Sequence, residues 1–515
     1  MQITEMQTRA NDIIRDPNLS FHQRRHYLAA LAEESLPYPQ LSDAAAQALA
    51  DGVINDLFEG PAPYRARYIL PDYALFLKNG SEHLELGPAN SFDEALNHLL
   101  IIYTQVPSIT AFPVYLGDLD KILAPYVAEL SDEELYKKLK LFWIAIDRIL
   151  PDGFVHTNIG PEDTRVGRTM LRLERELLQV VPNISFKVDP EITPDDYIRD
   201  AVETVFKSAK PHFINHPMMV KGLGEEYAAV SCYNSLKIAG GSHTLVRLNL
   251  KEVVLRHDGD IDSFIEKTLP RYAELNAELM EARIRYLVEQ AKFYEHDFLA
   301  KEGLINLERF SAMYGIYGLA EAVNLLLEKN NIKGRYGHDD NANQLSYRIT
   351  RRIADFVENR AMPYCEGYHG RAVLHSQSGI DVDIDVSAGT RIPIGDEPDM
   401  FSHIAAVAPH HELFVAGVSD IFAVEDTAQR NPMAMVDIIR GAFKQGMRDF
   451  TFNIASNGFV RVTGYLVRKS DLERYKTDGS RINSTVFASG SEDNSHMSQR
   501  KLKRVLTLER QPVRT

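Results

Sequence analysis

Apolar residues recur at spacings of three and four through most of the first 190 residues, which is the pattern of amphipathic helices. The clearest segments are FHQRRHYLAALAEES, LSDAAAQALADGVINDLFE, SFDEALNHLLIIYTQ and DEELYKKLKLFWIAIDRIL. Ser42 and Ser131 stand at the start of two of these segments, where a hydroxyl can cap the first turn. We therefore expect residues 1–190 to form a mainly helical N-terminal lobe.

The pattern changes after ITPDDYIRDAVETVFKSAK, a further predicted helix for which Thr193 is the expected cap. Helical segments then alternate with short apolar runs, and the strand candidates are YAAVSCYN, HTLVRLNL, AVLHSQSGIDVDIDV, ELFVAGVSDIF and DFTFNIA. Such alternation indicates an α/β sheet or barrel. We therefore assign residues 191–450 to an α/β domain. Residues 476–515 are rich in Ser and Asn, and we expect them to form a polar C-terminal tail.

The segment SNGFVRVTGYLVR, from Ser456 to Arg468, has the composition of a strand but carries Gly464 in its middle. Glycine weakens a strand interior because it loses the most chain entropy and offers no side chain to pack. As one continuous strand, the segment would turn Gly464 toward the apolar side, together with Val460 and Leu466. A bulge or a close backbone approach is the ordinary explanation for such a glycine.

Composition restricts the class of protein. In 515 residues, 44% are hydrophobic and 25% are charged, which is typical of a globular protein and excludes the disordered, collagen and membrane classes. The net charge of -15 argues against binding to a nucleic-acid backbone. The N-terminal sequence carries no export signal, so we expect a cytoplasmic protein with no membrane segment.

The chain has two cysteines, Cys232 and Cys365. Two cysteines do not supply a zinc site by themselves and do not make a disulfide framework. We therefore expect no metal site, and any functional cysteine acts as a thiol.

The segment FVRVTGYLVR resembles the C-terminal signature of the glycyl radical enzymes. The core of that signature here is Arg461, Val462, Thr463, Gly464 and Tyr465. The resemblance implies that residues 451–475 form the glycyl radical loop and that Gly464 stores the radical. Loss of hydrogen from the glycine α-carbon leaves a planar radical that a Cβ would crowd. The resemblance also implies a partner, a radical activase that uses S-adenosylmethionine and an iron–sulfur cluster, and an oxygen-sensitive, anaerobic enzyme that needs no bound organic cofactor.

In this class of enzymes a cysteine takes up the radical as a thiyl, and the resemblance gives that role to Cys232. Cys232 lies between an apolar run and the Gly240–Gly241 turn of EEYAAVSCYNSLKIAGGSHTLVRLNL. The following SHTLVRLNL, and SAMYGIYGLAEAVN further on, resemble segments of the anaerobic ribonucleotide reductases. Cys365, in MPYCEGYHG, is the rival thiol, for which we favour a supporting or structural role.

Differences from better-known glycyl radical enzymes limit the types of reaction to be expected. Ser231 stands where pyruvate formate-lyase has a second cysteine, and Asn234 stands where the lyases and dehydratases carry a Glu general base. Two cysteines also leave no four-cysteine zinc site of the ribonucleotide-reductase kind. Over essentially its whole length the chain is most similar to the YjjI-type glycyl radical proteins. This resemblance implies a ten-stranded α/β barrel in which the cysteine and glycine loops meet.

Ordinary polar groups would also be needed around the substrate. The candidates near the motifs are Tyr233, Asn234, His243, Arg247, Asn249, Cys365 and His369. The simplest interpretation of Arg247 is a surface ion pair, whereas a buried Arg247 would suggest a carboxylate or phosphate on the substrate.

We expect Cys232 to abstract hydrogen from a small polar metabolite, polyol-like or ribose-like, in a lyase, dehydratase or reductase reaction. Two alternatives stay open: reduction of a ribose-type substrate, as in the ribonucleotide reductases, and a non-catalytic protein that binds a metabolite or the activase. A homodimer is also left open.

Overall fold

The computed structural model describes residues 3–17, 19, 21–56, 63–108, 113–150, 155–376, 386–454, 456–462 and 465–478. Gly464, Thr463 and the tail beyond residue 478 lie outside these ranges. The roles expected for them from the sequence therefore stay predictions.

Helices make up about half of the residues that the structure describes. In the first part they are α1 (Ile3–Arg15), α2 (Phe21–Glu33), α3 (Asp43–Ala50), α4 (Tyr73–Asn79), α5 (Phe92–Tyr103), α6 (Leu119–Leu123), α7 (Asp132–Ile149), α8 (Arg165–Leu177), α9 (Asp195–Ser208) and α10 (His216–Leu223). In the second part they are α11 (Leu250–Leu255), α12 (Ile261–Ser263), α13 (Leu269–Arg285), α14 (Phe293–His296), α15 (Phe298–Lys301), α16 (Leu319–Lys329), α17 (Asp340–Asn359), α18 (Met400–His411), α19 (Pro432–Lys444) and α20 (Lys469–Asp478). Two π-helical turns, Phe264–Thr268 and Tyr286–Gln290, flank α13.

The strands form two large sheets and two hairpins. They are β1 (Ile54–Asn55), β2 (Tyr68–Leu70), β3 (His156–Ile159), β4 (Asn183–Val188), β5 (His212–Asn215), β6 (Tyr227–Val230), β7 (Asn234–Lys237), β8 (Gly240–Asn249), β9 (Phe310–Tyr317), β10 (Val373–Ser376), β11 (Asp420–Val424), β12 (Asp449–Ile454), β13 (Phe459–Val462) and β14 (Tyr465–Arg468).

Each large sheet has five strands. In the first, β8, β9 and β10 are parallel, and β1 and β2 pair with β8 in antiparallel fashion. In the second, of order β11-β12-β5-β4-β3, β3 to β5 are parallel and β12 is antiparallel to β5. The predicted α/β class is therefore confirmed. Within the described ranges, no strand pairing joins the two sheets, so they do not form the closed barrel that was predicted.

The N-terminal region does more than supply helices. Strands β1 and β2 belong to the first sheet, and β3 and β4 to the second, so both sheets extend across the predicted boundary at residue 190. The predicted caps Ser42 and Ser131 are confirmed, since their hydroxyls accept the amides of Ala45 and Glu134.

The predicted cap of α9 is wrong. Pro194, which has no capping side chain, occupies the N-cap position. Thr193 instead uses its hydroxyl to donate to the carbonyl of Pro161, at 2.9 Å, and to accept the amide of Asp189. The threonine is thus engaged by the loops before the helix rather than by its first turn.

The predicted strand Ser456–Arg468 is in fact a hairpin. Strands β13 and β14 pair in antiparallel fashion, and the pair nearest the turn is Val462 with Tyr465. The continuous-strand interpretation failed because antiparallel pairing of the two halves preserves the same apolar composition. A single continuous strand over Ser456–Arg468 is therefore excluded.

The β6–β7 hairpin lies between the two sheets. On one side, Asn158 of β3 exchanges two hydrogen bonds with the backbone of Ala229, at 2.8 and 2.9 Å. On the other, the amide of Ser235 donates to the carbonyl of Ala416, in a segment that itself bonds to β10. None of the helices in the described ranges combines the length and the hydropathy required to cross a bilayer.

Candidate active site

Cys232 stands at the turn of the β6–β7 hairpin. Val230 and Asn234 form the last backbone pair, and the Asn234 side chain donates to the carbonyl of Val230 at 3.0 Å. Ser231 and Tyr233, on either side of the cysteine, have left-handed backbones with φ of +54° and +62°. Such conformations are uncommon for residues with a Cβ and often mark functional turns. Cys232 is buried, with 7% of its surface exposed.

The side chain of Tyr233 anchors this turn to the second sheet. Its ring stacks on His212 of β5 with a centroid separation of 3.4 Å and meets His156 of β3 edge-on at 5.3 Å. The amide of Asn183, on β4, points to its hydroxyl at 3.5 Å. Three neighbouring strands therefore fix the residue next to the thiol.

The same hydroxyl connects Cys232 to the C-terminal hairpin. The guanidinium of Arg461, on β13, donates to the Tyr233 hydroxyl and to the carbonyl of Ala209, and reaches the Asn183 side-chain oxygen at 3.4 Å. Arg461 is 1% exposed. Arg461 precedes Gly464 by three positions, so the two segments singled out from the sequence meet through Arg461 and Tyr233.

A buried polar cluster lies behind Tyr233. The Nδ1 atom of His212 lies 2.8 Å from a carboxylate oxygen of Asp449, to which the hydroxyl of Ser419 also donates. Burial lowers the pKa of His212 and raises the pKa of Asp449, because it disfavours the charged form of each group. The cluster therefore places a neutral imidazole under the Tyr233 ring.

A row of aligned residues crosses the first sheet. Asn55, Arg247, Gly315 and His375 are successive partners on β1, β8, β9 and β10, and partners in register project from the same face. Arg247 donates to the Asn55 side chain at 2.8 Å and lies over the ring of Tyr317. A Cβ on Gly315 would approach Arg247 Cγ to 2.8 Å, so the glycine provides room for the arginine stem.

His375, at the end of this row, faces the β6–β7 turn. A Cβ built on Gly417 would lie 2.4 Å from the carbonyl oxygen of Tyr233 and 3.1 Å from Cδ2 of His375, so both residues border Gly417. Burial, reinforced by Arg67 and Arg247, lowers the pKa of His375 to about 3. Its imidazole is therefore neutral at physiological pH, with one donor and one acceptor nitrogen.

Arg391 approaches the thiol from the loop before α18. Its Nε donates to the carbonyl of Ser419 at 2.7 Å, and the side chain is 8% exposed. Burial lowers the pKa of Arg391, and the nearby Tyr233 and Cys232 are among the groups that oppose this shift. Cys232 also acts on the pKa of Tyr68, on β2. The thiol thus acts on a tyrosine of the first sheet and on an arginine of the loop before α18.

The other residues expected at the site fall into different places. Asn234 closes the hairpin, and Asn249 caps α11 by accepting the amide of Glu252 at 3.2 Å. His243 bonds through its two ring nitrogens to the Tyr364 carbonyl and the Tyr294 hydroxyl, both at 2.8 Å. These three polar side chains therefore have local structural partners. Arg247 is fully buried, which excludes the interpretation as a surface ion pair.

Cys365 and His369 lie on the segment that leads into β10. Cys365 is buried, and its surroundings raise its pKa through burial and the neighbouring Glu366. Burial raises the pKa of Tyr294 and of Tyr368, and the nearby Cys365 contributes to both shifts. His369 ends a short 3-10 turn and is exposed.

Sequence patterns did not identify several polar residues of this interior, namely His156, His212, Arg391, Ser419 and Asp449. Each stands alone in its segment, so no motif marks it. The one usable signal was the placement of a charged or imidazole group at the start of an apolar strand, as in HFIN and DFTFNI. Within the described ranges, no cluster of three or more His, Cys, Asp or Glu side chains is arranged to hold a metal ion.

A buried thiol on a strained turn, neutral imidazoles and an arginine define the chemistry available here. Burial excludes bulk water and strengthens polar interactions, which suits a reactive intermediate. Comparison with known proteins agrees with this picture. A family model described as "Glycyl radical enzyme YjjI-like" matches residues 19–503.

Two curated relatives cover nearly the whole chain. The "Uncharacterized protein YjjI" of Escherichia coli K12 is 50% identical over 507 residues, 98% of each chain. An "Uncharacterized protein" of Haemophilus influenzae is 36% identical over 499 residues, 96% of each chain. Both similarities extend over the cysteine and glycine segments.

Solved structures are similar in fold. The anaerobic ribonucleotide reductase of Thermotoga maritima matches with a TM-score of 0.69 and 12% identity, over 92% of this chain and 94% of its own. Hydroxyproline dehydratase of Clostridioides difficile, solved with trans-4-hydroxy-L-proline bound, matches with a TM-score of 0.69 and 11% identity, over 96% of this chain and 88% of its own.

Proposed function

Because the chain belongs to the YjjI-like family of glycyl radical enzymes, we propose that Gly464 stores a backbone radical and that Cys232 transfers it to a small polar substrate. Family membership supports an enzyme of this class.

The contact between Arg461 and Tyr233 carries the assignment. It joins the hairpin that flanks Gly464 to the residue beside Cys232, in a buried environment. Among the two cysteines, only Cys232 stands at a turn directed between the sheets. A radical transfer over a short distance requires such an approach.

The proposed cycle balances at each step. The Gly464 radical takes the hydrogen atom of the Cys232 thiol, so a C–H bond forms and an S–H bond breaks. The thiyl radical then takes a hydrogen atom from a substrate carbon, which restores the thiol and leaves a substrate radical. After the substrate rearranges, the product radical takes the hydrogen back and the radical returns to Gly464.

We further propose that the two five-stranded sheets act as opposing walls of a barrel around the β6–β7 hairpin. The contacts of the hairpin with Asn158 of the second sheet and with the segment that bonds to β10 support this arrangement. Enclosure would protect the radicals from oxygen and water.

The activating partner, the cellular setting and the substrate are proposed on the same basis, a glycyl radical at Gly464. A radical S-adenosylmethionine activase would install the radical on residues 451–475, and the enzyme would act anaerobically in the cytoplasm, alone or as a homodimer. The substrate would be a small polyol-like or ribose-like metabolite. Elimination, cleavage and reduction all begin with the same hydrogen abstraction.

Reduction of the ribonucleotide-reductase kind would need a second thiol near Cys232 as a redox partner. Cys365 lies on the segment that leads into β10 and acts on the pKa values of Tyr294 and Tyr368, whereas Cys232 lies at the β6–β7 turn and acts on those of Tyr68 and Arg391. This difference in position favours a reaction that uses one thiol. The alternative hypothesis is a metabolite-binding protein without catalytic activity. Detection of the glycyl radical distinguishes the enzyme from the binding protein.

Electron paramagnetic resonance on protein co-expressed anaerobically with its activase tests the proposal. We expect an α-hydrogen doublet in the wild type and in Gly441→Ala, a control on α19. We expect no signal in Gly464→Ala, and chain cleavage at residue 464 of the wild type in air. An unchanged doublet in Gly464→Ala would overturn the assignment, and a silent wild type with a competent activase would favour the binding protein.

A further inference from the structure

Arg391 is a buried cation on which Asp420 acts through its charge but with which it forms no ion pair. Its Nε donates to a backbone carbonyl, and it forms no ion pair with the residues that the structure describes. The nearest acids are already engaged, since Asp420 accepts from His411 at 2.9 Å and Asp449 accepts from Ser419. A buried charge without a partner is costly, so such a group commonly awaits an anionic ligand.

His375 is a second unsatisfied group. It is fully buried, and neither ring nitrogen has a hydrogen-bond partner in the described part of the chain. Because buried polar groups are nearly always satisfied, two open nitrogens on one imidazole need an explanation. A substrate hydroxyl can both donate and accept, so it fits a neutral imidazole.

Hydrogen bonds join the two segments that carry these groups, next to the cysteine turn. Ser376, next to His375, accepts the amide of Thr390, next to Arg391, at 2.9 Å. The amide of Ser376 also donates to the carbonyl of Gly417, on which the Cys232 turn packs. Ser376 thus links the end of β10 to the Arg391 loop through its hydroxyl and to the residue beside the cysteine turn through its amide.

We infer that the substrate is a small hydroxylated anion whose carboxylate or phosphate binds Arg391 and whose hydroxyl bonds to His375. The inference deepens the proposed function and rests on it, because it takes the Cys232 interior to be the reaction site. Arginine suits either anion, since its planar fork can bind two oxygens at once. The hydroxyl on His375 would hold the substrate carbons in a fixed orientation relative to the sulfur.

Isothermal titration calorimetry on the resting, full-length protein tests binding without any radical. The probes are D-glycerate, glycerol 3-phosphate, the neutral analogue glycerol, and propionate, which lacks the hydroxyls. We expect at least one hydroxylated anion to bind about tenfold or more tightly than glycerol and propionate. The tighter of the two hydroxylated anions identifies the carboxylate or the phosphate as the natural group.

Variants assign the binding energy. Arg391→Gln should lower the affinity for the hydroxylated anion by roughly tenfold to hundredfold and leave the affinity for glycerol unchanged. Arg391→Lys retains charge but loses the fork, so it should fall between, and it serves if the glutamine variant does not fold. His375→Phe should make D-glycerate bind like propionate. Arg348→Gln, at an exposed ion pair with Asp262, is the control and should bind as the wild type does.

Two results would overturn the inference: no binding of either hydroxylated anion at millimolar concentration, or binding that Arg391→Gln and Arg391→Lys leave unchanged. The radical measurement separates this outcome from failure of the proposed function. A doublet without Arg391-dependent binding rejects only the anionic substrate. Arg391-dependent binding without a doublet supports the anion site and rejects the radical reaction.

Discussion

Cys232 and Cys365 are both buried, with 7% and 0% of their surfaces exposed, yet their surroundings differ. Cys232 lies at the turn of a hairpin between two sheets, next to the Tyr233 side chain that Arg461 holds. Cys365 begins a short 3-10 turn, among Tyr294 and Tyr368, and its raised pKa keeps it a neutral thiol.

Burial and residue type therefore do not distinguish the proposed radical carrier from the other cysteine. The distinction lies in what holds the neighbouring backbone. Cys232 is flanked by two left-handed residues, whereas Cys365 follows one, Tyr364. Such conformations persist only where the surrounding contacts enforce them. Single substitutions at and around the two cysteines test this difference between them.

The largest effect is expected from Cys232→Ser. A thiol exchanges its hydrogen with solvent, so in D2O the radical doublet should collapse as deuterium passes from Cys232 to Gly464. Serine holds its hydrogen too strongly for this exchange, which should slow by about 100-fold or more. Electron paramagnetic resonance of activated protein in D2O measures the rate. Collapse at the wild-type rate in the serine variant would exclude Cys232 as the carrier.

Tyr233→Phe and Arg461→Gln should come next. Charge-assisted hydrogen bonds in buried sites are strong, so we expect a coupling energy of about 1–3 kcal/mol between the two substitutions. A double-mutant cycle in urea gives this energy, and hydrogen exchange of β13 and β14 should become faster in each variant. Tyr103→Phe, which removes a buried bond to the Leu116 carbonyl, is the matched control and should not alter that exchange. Purely additive effects would contradict a direct link.

Gly417→Ala should destabilise the cysteine turn by about 1–3 kcal/mol. Its φ of +133° suits glycine, and an added Cβ would lie 2.4 Å from the Tyr233 carbonyl oxygen. Gly441→Ala, on an exposed face of α19 with no atom within 4 Å of the new Cβ, should stabilise by about 0.5–1 kcal/mol. Urea denaturation compares the two. Equal effects would mean that the turn yields to the added methyl.

The smallest effect on chemistry is expected from Cys365→Ala. It removes a buried sulfur from a packed region and should cost about 1–2 kcal/mol in stability, while the D2O exchange rate stays within about twofold of the wild type. In Cys232→Ser protein, a thiol reagent should modify Cys365 only after denaturation, because the thiol is buried with a raised pKa. Rapid labelling of the native variant would show that Cys365 is accessible.

Helices were the most predictable part of the fold. The patterns before residue 150 located α2, α5 and α7, and the serine caps of α3 and α7 were also correct. The short strands β1 to β4 were missed, because strands of two to six residues carry too little periodicity and belong to sheets completed much later in the chain. A reversal such as that between β13 and β14 leaves composition unchanged, so it too was missed.

For the site, sequence motifs indicated the two residues that we propose as radical carriers but not the groups around Cys232. Tyr233 was named as a neighbour of the cysteine, but its contact with Arg461 spans 228 positions in the chain and no local pattern encodes it. His375 and Arg391 are recognised as parts of one region only from the hydrogen bond between Thr390 and Ser376, which joins their two segments. Long-range pairing, rather than residue type, therefore determined what could be predicted.

The bond between Arg461 and Tyr233 also sets the terms of activation. If the β13–β14 hairpin must undock before an activase can bind the Gly464 segment, the activase competes with the contacts that hold the hairpin in place. These contacts act at a high effective concentration because the hairpin is part of the same chain. Each 1.4 kcal/mol of docking energy lowers the undocked fraction about tenfold. A more weakly bound hairpin would allow faster activation of the protein but would expose the proposed radical for longer. The strength of the Arg461–Tyr233 bond would therefore affect both the rate of activation and the lifetime of the radical in air.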